Sequence, residues 1–228
     1  AAIFAHALKA ESVTIWKDVR GVLNADPRYF NRTKLLNKIS YEEAIELAFY
    51  GASVIHPKTL QPLKKKKIPL FVKSFLSPSK AGTIISKKDN KVKNIPSHIV
   101  KLNRVLLKIS SKDFSFIVEK KVSLIFSMLS KYKMKVELIQ NSAISFSVVL
   151  NNKYKKLDEL LYELRENFKV SVDSKVSIFT IRHFNRNTLK HIKKLNQKVL
   201  LEQRTNKTLQ LVLSKNFKEE TLFGFFEQ

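Results

Sequence analysis

The first 85 residues contain short apolar runs separated by turn-forming stretches. Ser12–Trp16 (Ser-Val-Thr-Ile-Trp), Ile68–Lys73 and Gly82–Ile85 are rich in β-branched and aromatic residues, which predicts three short strands. A short helix is expected around Lys58–Lys65. The segment thus mixes strands and helices along the chain, as an α/β fold does.

The sequence contains capping signals for both ends of one helix in this region. Ser40 and Glu43 form a capping box of the S-x-x-E type, and Gly51 stands where a C-terminal cap glycine belongs. We therefore predict a helix over 41–50. The first eight residues also predict a helix, with one apolar face made of Ile3, Phe4, Ala7 and Leu8.

Beyond residue 100 the same pattern of elements occurs twice. The first unit is predicted as strand Val105–Ile109, helix Val118–Tyr132, strands Val136–Gln140 and Ile144–Leu150, and helix Leu157–Phe168. The second is predicted as strand Val176–Ile181, helix Thr188–Leu195, strands Val199–Gln203 and Thr208–Leu213, and helix Phe217–Phe226. Both are β-α-β-β-α. At a constant spacing of 63 residues, Val136, Leu138, Gln140, Val149 and Leu150 correspond to Val199, Leu201, Gln203, Val212 and Leu213.

These patterns predict an α/β segment over residues 1–85, followed by two α+β modules over 101–173 and 174–228. Residues 86–100 are mostly polar and charged and contain Pro96, so we expect a linker there.

The composition narrows the classes of function. Of the 228 residues 44% are hydrophobic and none is cysteine, which excludes disulfides, thiolate metal sites and a cysteine nucleophile. No apolar run approaches the roughly 18–20 residues of a membrane helix, and the start has no signal-peptide pattern. We expect a cytoplasmic protein with no membrane partner, and no metal site among its isolated histidines.

The formal net charge of +24 leaves two interpretations. One is a nucleic-acid-binding protein. The other is solvated lysine spread over every exposed face. The second is favoured, because lysine outnumbers arginine, no nucleic-acid-binding motif accompanies the charge, and arginine is the better two-pronged ligand for bases and phosphates. We expect no specific nucleic-acid partner.

No P-loop or dinucleotide-binding glycine motif is present, and only four glycines occur. Three of them lie in distinctive strings: Trp16–Arg28 (WKDVRGVLNADPR), Tyr41–Ala44 (YEEA) continuing to Phe49–Pro57 (FYGASVIHP), and Ile68–Leu70 (IPL) followed by Gly82-Thr83. In this order they resemble the C-terminal part of the amino-acid kinase domain of aspartate kinases. The repeated unit behind them resembles the tandem ACT modules of the same family.

The resemblance implies an enzyme that transfers the γ-phosphoryl group of ATP, with Mg²⁺, to the side-chain carboxylate of aspartate. The product, 4-phospho-L-aspartate, leads to lysine, threonine and methionine. By motif position Lys17 and Asp18 line the ATP, Leu23 lies near the adenine, and Arg28 reaches the phosphates. Ser53 falls where many relatives place an ATP-contacting lysine.

The family also places an effector site on the first ACT module, at the interface between two chains. The matching positions here are Lys120, Val122, Glu137, Asn141, Ser142 and Ile144. Lysine and threonine are the candidate effectors, and a homodimer through the ACT modules is implied. Lys120 replaces a common glycine and Ala143 a common acidic residue, so we expect reduced or altered lysine feedback.

The family's Lys-Phe-Gly-Gly-Thr-Ser and Gly-Ser-Asp strings are absent, so no catalytic residue is assigned and the isolated chain is expected to be inactive. The alternative is a regulatory subunit that binds amino acids and has no activity of its own.

Overall fold

The computed structural model describes residues 1–52, 54–87, 95–193 and 198–214. Ser53 and the predicted helix Phe217–Phe226 lie outside these ranges. No helix in them is long and apolar enough to cross a membrane.

Residues 1–87 form a four-stranded sheet flanked by three helices. The elements are α1 (Ala2–Ala7), β1 (Val13–Lys17), β2 (Lys38–Ser40), α2 (Tyr41–Tyr50), α3 (Pro57–Lys66), β3 (Leu70–Ser74) and β4 (Thr83–Ser86). The strand order is β1-β3-β4-β2. β1 is parallel to β3 and β2 is parallel to β4, while β3 and β4 are antiparallel. This mixed sheet confirms the α/β prediction.

The core of this segment lies between the sheet and the helices. Leu60 and Leu63 of α3 are fully buried against Leu70, Val72 and Ile85 of the sheet. The prediction for α2 is confirmed at both ends: Ser40 Oγ accepts the Glu43 backbone N–H at 3.0 Å, and Gly51 has a φ of 124°. Helix α1 is present as predicted, but it buries Ala2 and Ala5, whereas the apolar face of Ile3, Phe4 and Leu8 is exposed.

The rest of the described chain forms one six-stranded antiparallel sheet with three helices. Its elements are β5 (Ser97–Ser111), α4 (Glu119–Lys131), β6 (Lys135–Asn141), β7 (Ser145–Asn151), α5 (Leu157–Asn167), β8 (Phe168–Arg182), α6 (Arg186–Lys193), β9 (Val199–Arg204) and β10 (Thr208–Leu213). The strand order is β6-β7-β5-β8-β10-β9.

The two long strands join the modules at their centre. The second half of β5 pairs with β7 and with the first half of β8, whereas Ser97–Lys101 pairs with the second half of β8. Residues 97–100, which were predicted as linker, are therefore strand. Polar residues and Pro96 suggested a break there, but the apolar Ile99 is buried at this position and the backbone pairs with a strand about 80 residues away.

Strand pairing confirms the internal repeat. Leu138 pairs with Val149 in the first module, and Leu201 pairs with Val212 in the second. All four residues are buried in one cluster together with Leu106 and Val176. The equivalent faces of the two modules thus pack against each other.

Candidate functional site

The residues predicted to bind ATP begin at the C-terminal end of β1. Lys17 closes the strand and is half-buried, and its carbonyl accepts the backbone N–H of Phe75 at 2.9 Å. Asp18 follows and is exposed. Parallel strands such as β1 and β3 present their ligand sites at this end, so Lys17 and Asp18 lie where a nucleotide could reach them.

The loop after β1 carries the next two residues. Leu23 is half-buried and forms an isolated antiparallel bridge with Leu35. Arg28 is 79% exposed and contacts Asp26 through two nitrogens, the shorter distance being 2.6 Å. Burial raises the pKa of Asp26, but the hydrogen bonds from Arg28 outweigh it and lower that pKa overall. Because this pair is exposed, Arg28 can exchange Asp26 for a phosphate at little cost.

Two contacts that the sequence analysis missed hold this loop in place. Gly21 has a φ of 144°, and an added Cβ would lie 2.5 Å from Thr83 Oγ1, the atom that accepts the Val22 backbone N–H at 2.8 Å. Asn24 is buried, its side-chain oxygen accepts the Lys34 N–H at 2.6 Å, and its carbonyl accepts the His98 N–H at 2.7 Å. The nucleotide-side loop is thus attached both to β4 and to β5.

The side chains predicted to contact ATP at the end of β1 and in the following loop include two cations, Lys17 and Arg28. In the part of the chain that the structure describes, no three His, Cys, Asp or Glu side chains converge to hold a metal ion. Lys17 and Arg28 suit the phosphates of ATP. Ser53 lies outside the described residues.

A second candidate site is a cavity of about 520 Å³ on the first module. It is lined by Phe116, Ile117, Val118, Glu119, Val122, Asn141, Ser142 and Ala143. Three of the predicted effector residues, Val122, Asn141 and Ser142, meet here. The Ile117 backbone N–H donates to the Ala143 carbonyl at 2.8 Å and closes the cavity floor between the start of α4 and the β6–β7 turn.

The structure separates the other predicted effector residues from this lining. Lys120 and Ile144 are exposed neighbours of the cavity. Glu137 is different: its side chain is 3% exposed and its carboxylate pairs with Lys101, with Arg104 at 3.7 Å and Lys135 at 3.8 Å. Lys101 and Arg104 lie on β5, a tertiary relation that spacing alone does not reveal.

Burial changes the pKa of Lys101, the lysine that pairs with Glu137. It lowers the pKa of Lys101, and the hydrogen bond and charge of Glu137 offset the effect only in part. Because Glu137 lies outside the cavity lining, Glu119 at the start of α4 is the one carboxylate among the cavity-lining residues.

Apolar side chains surround the cavity mouth. Phe114, Phe116, Val118 and Ile144 are between 43% and 75% exposed, and α4 adds Leu124 and Phe126. We call these six residues the module 1 apolar patch. Exposed apolar side chains in this number around a cavity are typical of an interaction site.

A third group of charged residues joins the α/β segment to the second module. Arg182 of β8 contacts Glu43 of α2 at 2.6 Å and 3.2 Å, and His183 Nε2 lies 2.8 Å from Glu43 Oε2. Burial would raise the pKa of Glu43, but His183 and Arg182 together lower it to about 2. The sequence analysis assigned Glu43 only to the capping box of α2 and did not predict its contact with Arg182.

Comparisons with known proteins find similarity to aspartokinases in both the α/β segment and the two modules. The model of the amino acid kinase family matches residues 1–74. The chain is 33% identical over 187 residues to a bifunctional aspartokinase/homoserine dehydrogenase of Buchnera aphidicola, a match that covers 80% of this chain and 22% of that one. It is 35% identical over 158 residues to lysine-sensitive aspartokinase 3 of Escherichia coli, covering 66% of this chain and 33% of the relative.

Solved structures extend the match to nearly every residue. Aspartokinase III of E. coli, in complex with lysine and aspartate, superposes with a TM-score of 0.82 at 25% identity, over 99% of this chain and 53% of that one. Aspartate kinase of Clostridium acetobutylicum has the same fold, with a TM-score of 0.83 at 22% identity over 97% of this chain. The chain therefore spans between about a fifth and a half of the length of these proteins.

Proposed function

Because the chain belongs to the aspartokinase family, we propose that it supplies the nucleotide side of an aspartokinase active site together with the modules that regulate it. The reaction is transfer of the γ-phosphoryl group of ATP to the side-chain carboxylate of L-aspartate, giving 4-phospho-L-aspartate. The observation that carries the proposal is the superposition of 99% of the chain on one aspartokinase, with the α/β segment and both modules in the same arrangement.

In this proposal the described residues bind and orient the nucleotide. Lys17 and Arg28 neutralise phosphate charge, Asp18 lies beside them, and Leu23 offers an apolar contact to the base. Phosphoryl transfer depends on positioning and charge neutralisation rather than on a protein nucleophile. Magnesium, when bound, would supply further neutralisation of the phosphate charge.

Aspartate-dependent ADP release tests the proposal. It is measured with the 228-residue chain and with the same chain extended by the residues encoded before Ala1. We expect activity only in the extended protein, since the aspartate-binding strings of the family are absent here. Absence of activity in both would overturn the enzymatic proposal.

Substitution of Arg28 tests the nucleotide assignment within the active protein. Arg28→Ala should lower kcat/KM for ATP by about 10- to 100-fold, the usual worth of a charge-assisted contact. Arg32→Ala removes another exposed arginine of the same loop and is the matched control. Equal effects of the two substitutions would contradict a specific phosphate contact.

The cavity on the first module is proposed as the effector site. A free amino acid fits its volume of about 520 Å³, and the first turn of α4 leaves backbone N–H groups available because Val118 makes no side-chain cap. With Glu119 as the one acidic lining residue, we propose weakened lysine binding relative to lysine-sensitive relatives. Calorimetric titration with lysine and threonine tests this, and tight lysine binding would overturn it.

A second candidate function is a regulatory subunit without activity of its own. The observation in its favour is that this chain carries both the cavity and the module 1 apolar patch. Effector binding by the 228-residue chain, combined with inactivity of the extended protein, would favour this function.

A further inference from the structure

The repeat gives the effector cavity of the first module a counterpart in the second. In the first module the N–H of Ile117 donates to the Ala143 carbonyl at 2.8 Å, and in the second the N–H of His183 donates to the Lys207 carbonyl at 2.6 Å. Each bond joins the segment before a helix to the turn between the last two strands of its module.

The turns themselves also correspond. The N–H of Ser142 donates to the Ser145 carbonyl at 2.8 Å, and the N–H of Thr205 donates to the Thr208 carbonyl at 2.8 Å, at the repeat spacing of 63 residues. Ile117 and Ser142 line the cavity of the first module. His183 and Thr205 thus occupy the matching places in the second module, with Thr208 at the end of the same turn.

The counterpart contains a buried arginine that is arranged for a carboxylate. The Arg182 side chain is 8% exposed, and its Nη1 donates to Thr208 Oγ1 at 2.6 Å. Its Nη2 and Nε face the two oxygens of Glu43 at 2.6 Å and 3.2 Å. This two-pronged geometry matches a planar carboxylate, and a buried guanidinium without such a partner is strongly unfavourable.

The carboxylate comes from residues 1–87, the α/β segment, which we now call the kinase segment, and not from a solute. Glu43 lies in the first turn of α2, and its side chain is 14% exposed, while His183 at 11% exposure closes the other side. In the helix of the second module, Asn185 Oδ1 accepts the Thr188 N–H at 2.9 Å and so caps one N–H of the first turn. A groove of about 1240 Å³ runs past the pair between α2 and the second module, also lined by Lys38, Glu46 and Lys207.

We propose that the second module contains a carboxylate-binding site, formed by Arg182, His183 and Thr208, which Glu43 occupies as a ligand tethered in the same chain. The comparison with the first module rests on the effector site proposed above, whereas the carboxylate site rests on its own contacts. Its consequence is that α2 is bound directly to the sheet that senses effectors, so a shift of Arg182 displaces the kinase segment.

Chemical rescue with a small carboxylate tests the site without any activity assay. Glu43→Ala leaves room beside Arg182, and in the 228-residue chain it should lower Tm by about 10 °C. Sodium acetate should restore part of this loss in a saturable way, while acetamide, its neutral isostere, and sodium chloride at equal ionic strength should not. The wild-type chain should respond to acetate no more than to chloride.

Two variants serve as controls. Glu42→Ala removes the neighbouring glutamate, which pairs with Lys64 at the surface, and should show no acetate-specific shift. Glu43→Ala combined with Arg182→Met should lose the rescue. If Glu43→Ala does not fold in chloride, recovery of folded protein on refolding in acetate rather than acetamide becomes the measurement.

Equal responses to acetate, acetamide and chloride would overturn the proposal, as would rescue that survives Arg182→Met. Neither outcome depends on whether the extended protein phosphorylates aspartate, so failure here is distinguishable from failure of the proposed function.

Discussion

Arg182 holds the carboxylate of Glu43 with two of its nitrogens, although 139 positions separate the two residues in the chain. The same glutamate uses its backbone N–H to cap α2 through Ser40. One residue therefore defines the start of a kinase-segment helix and connects that helix to the second module.

The stability of this connection should depend on acid. The pKa of Glu43 is lowered from 4.5 to about 2 in the folded chain, so the carboxylate contributes stability that is fully present above about pH 4.5 and is lost as the pH falls toward 2. By linkage this amounts to about 3 kcal/mol. The groups facing it are Arg182, His183 and Glu46, with Glu42, Tyr50 and Lys207 along the groove.

Urea unfolding of the wild-type chain and of Glu43→Gln at pH 7, 4 and 3 checks this prediction. The stability difference between the two proteins should be largest at pH 7 and should shrink at pH 3. Glu159→Gln, an exposed glutamate in the first turn of α5, is the control and should differ little from wild type. A Glu43→Gln difference that stays constant with pH would contradict the assignment.

Local signals were sufficient for most elements but not for their partners. Helix α2 follows from Ser40, Glu43 and Gly51, because capping acts within a few residues. Strand β2 was missed because three residues carry too little pattern. The start of β5 was missed because Pro96 and the charged residues before it resemble a linker, while pairing with β8 outweighs that local preference.

In the candidate sites, too, local contacts could be predicted from the sequence but long-range partners could not. The cavity residues Val122, Asn141 and Ser142 come together because they flank the start of one helix and one turn, and their role in effector binding stays a prediction. Glu137 lies apart from the cavity lining because its side chain meets β5, where Lys101 is its partner. Periodicity shows that a residue is on an inward face, but it does not show which other element that face meets.

Thr83 should be more important for the nucleotide-side loop than its position in β4 suggests. Its buried hydroxyl accepts the Val22 N–H at 2.8 Å. Thr83→Val keeps the shape and leaves that N–H without a partner, which should cost about 1–3 kcal/mol. Thr83→Ser keeps the acceptor and should recover most of the hydrogen-bond term, so urea midpoints in the order wild type, Ser, Val are expected. A valine variant as stable as the serine variant would contradict this role.

Glu137 should act in stability rather than in effector binding. Glu137→Gln leaves Lys101 and Arg104, which are 15% and 17% exposed, without their carboxylate, at a cost of about 3–5 kcal/mol. Glu202→Gln, on exposed β9 surface, is the matched control and should be nearly neutral. Calorimetric affinity for an effector should stay unchanged in Glu137→Gln at a temperature where it remains folded. Unchanged stability with lost binding would restore Glu137 to the effector site.

The module 1 apolar patch should be an interface between two copies of this chain. Phe114 and Phe116 are 75% and 65% exposed beside the cavity mouth, a position where a second copy would cover apolar surface and border the effector at once. Phe116→Glu places a charge in that interface and should convert a dimer to a monomer in sedimentation equilibrium at micromolar concentration. Monomer stability should change little because the side chain is already exposed.

Tyr162→Glu replaces another exposed aromatic residue, at 75% exposure on α5, and should leave the dimer intact. Loss of the dimer in both variants would indicate a general charge effect, and an intact dimer in Phe116→Glu would move the interface away from this patch.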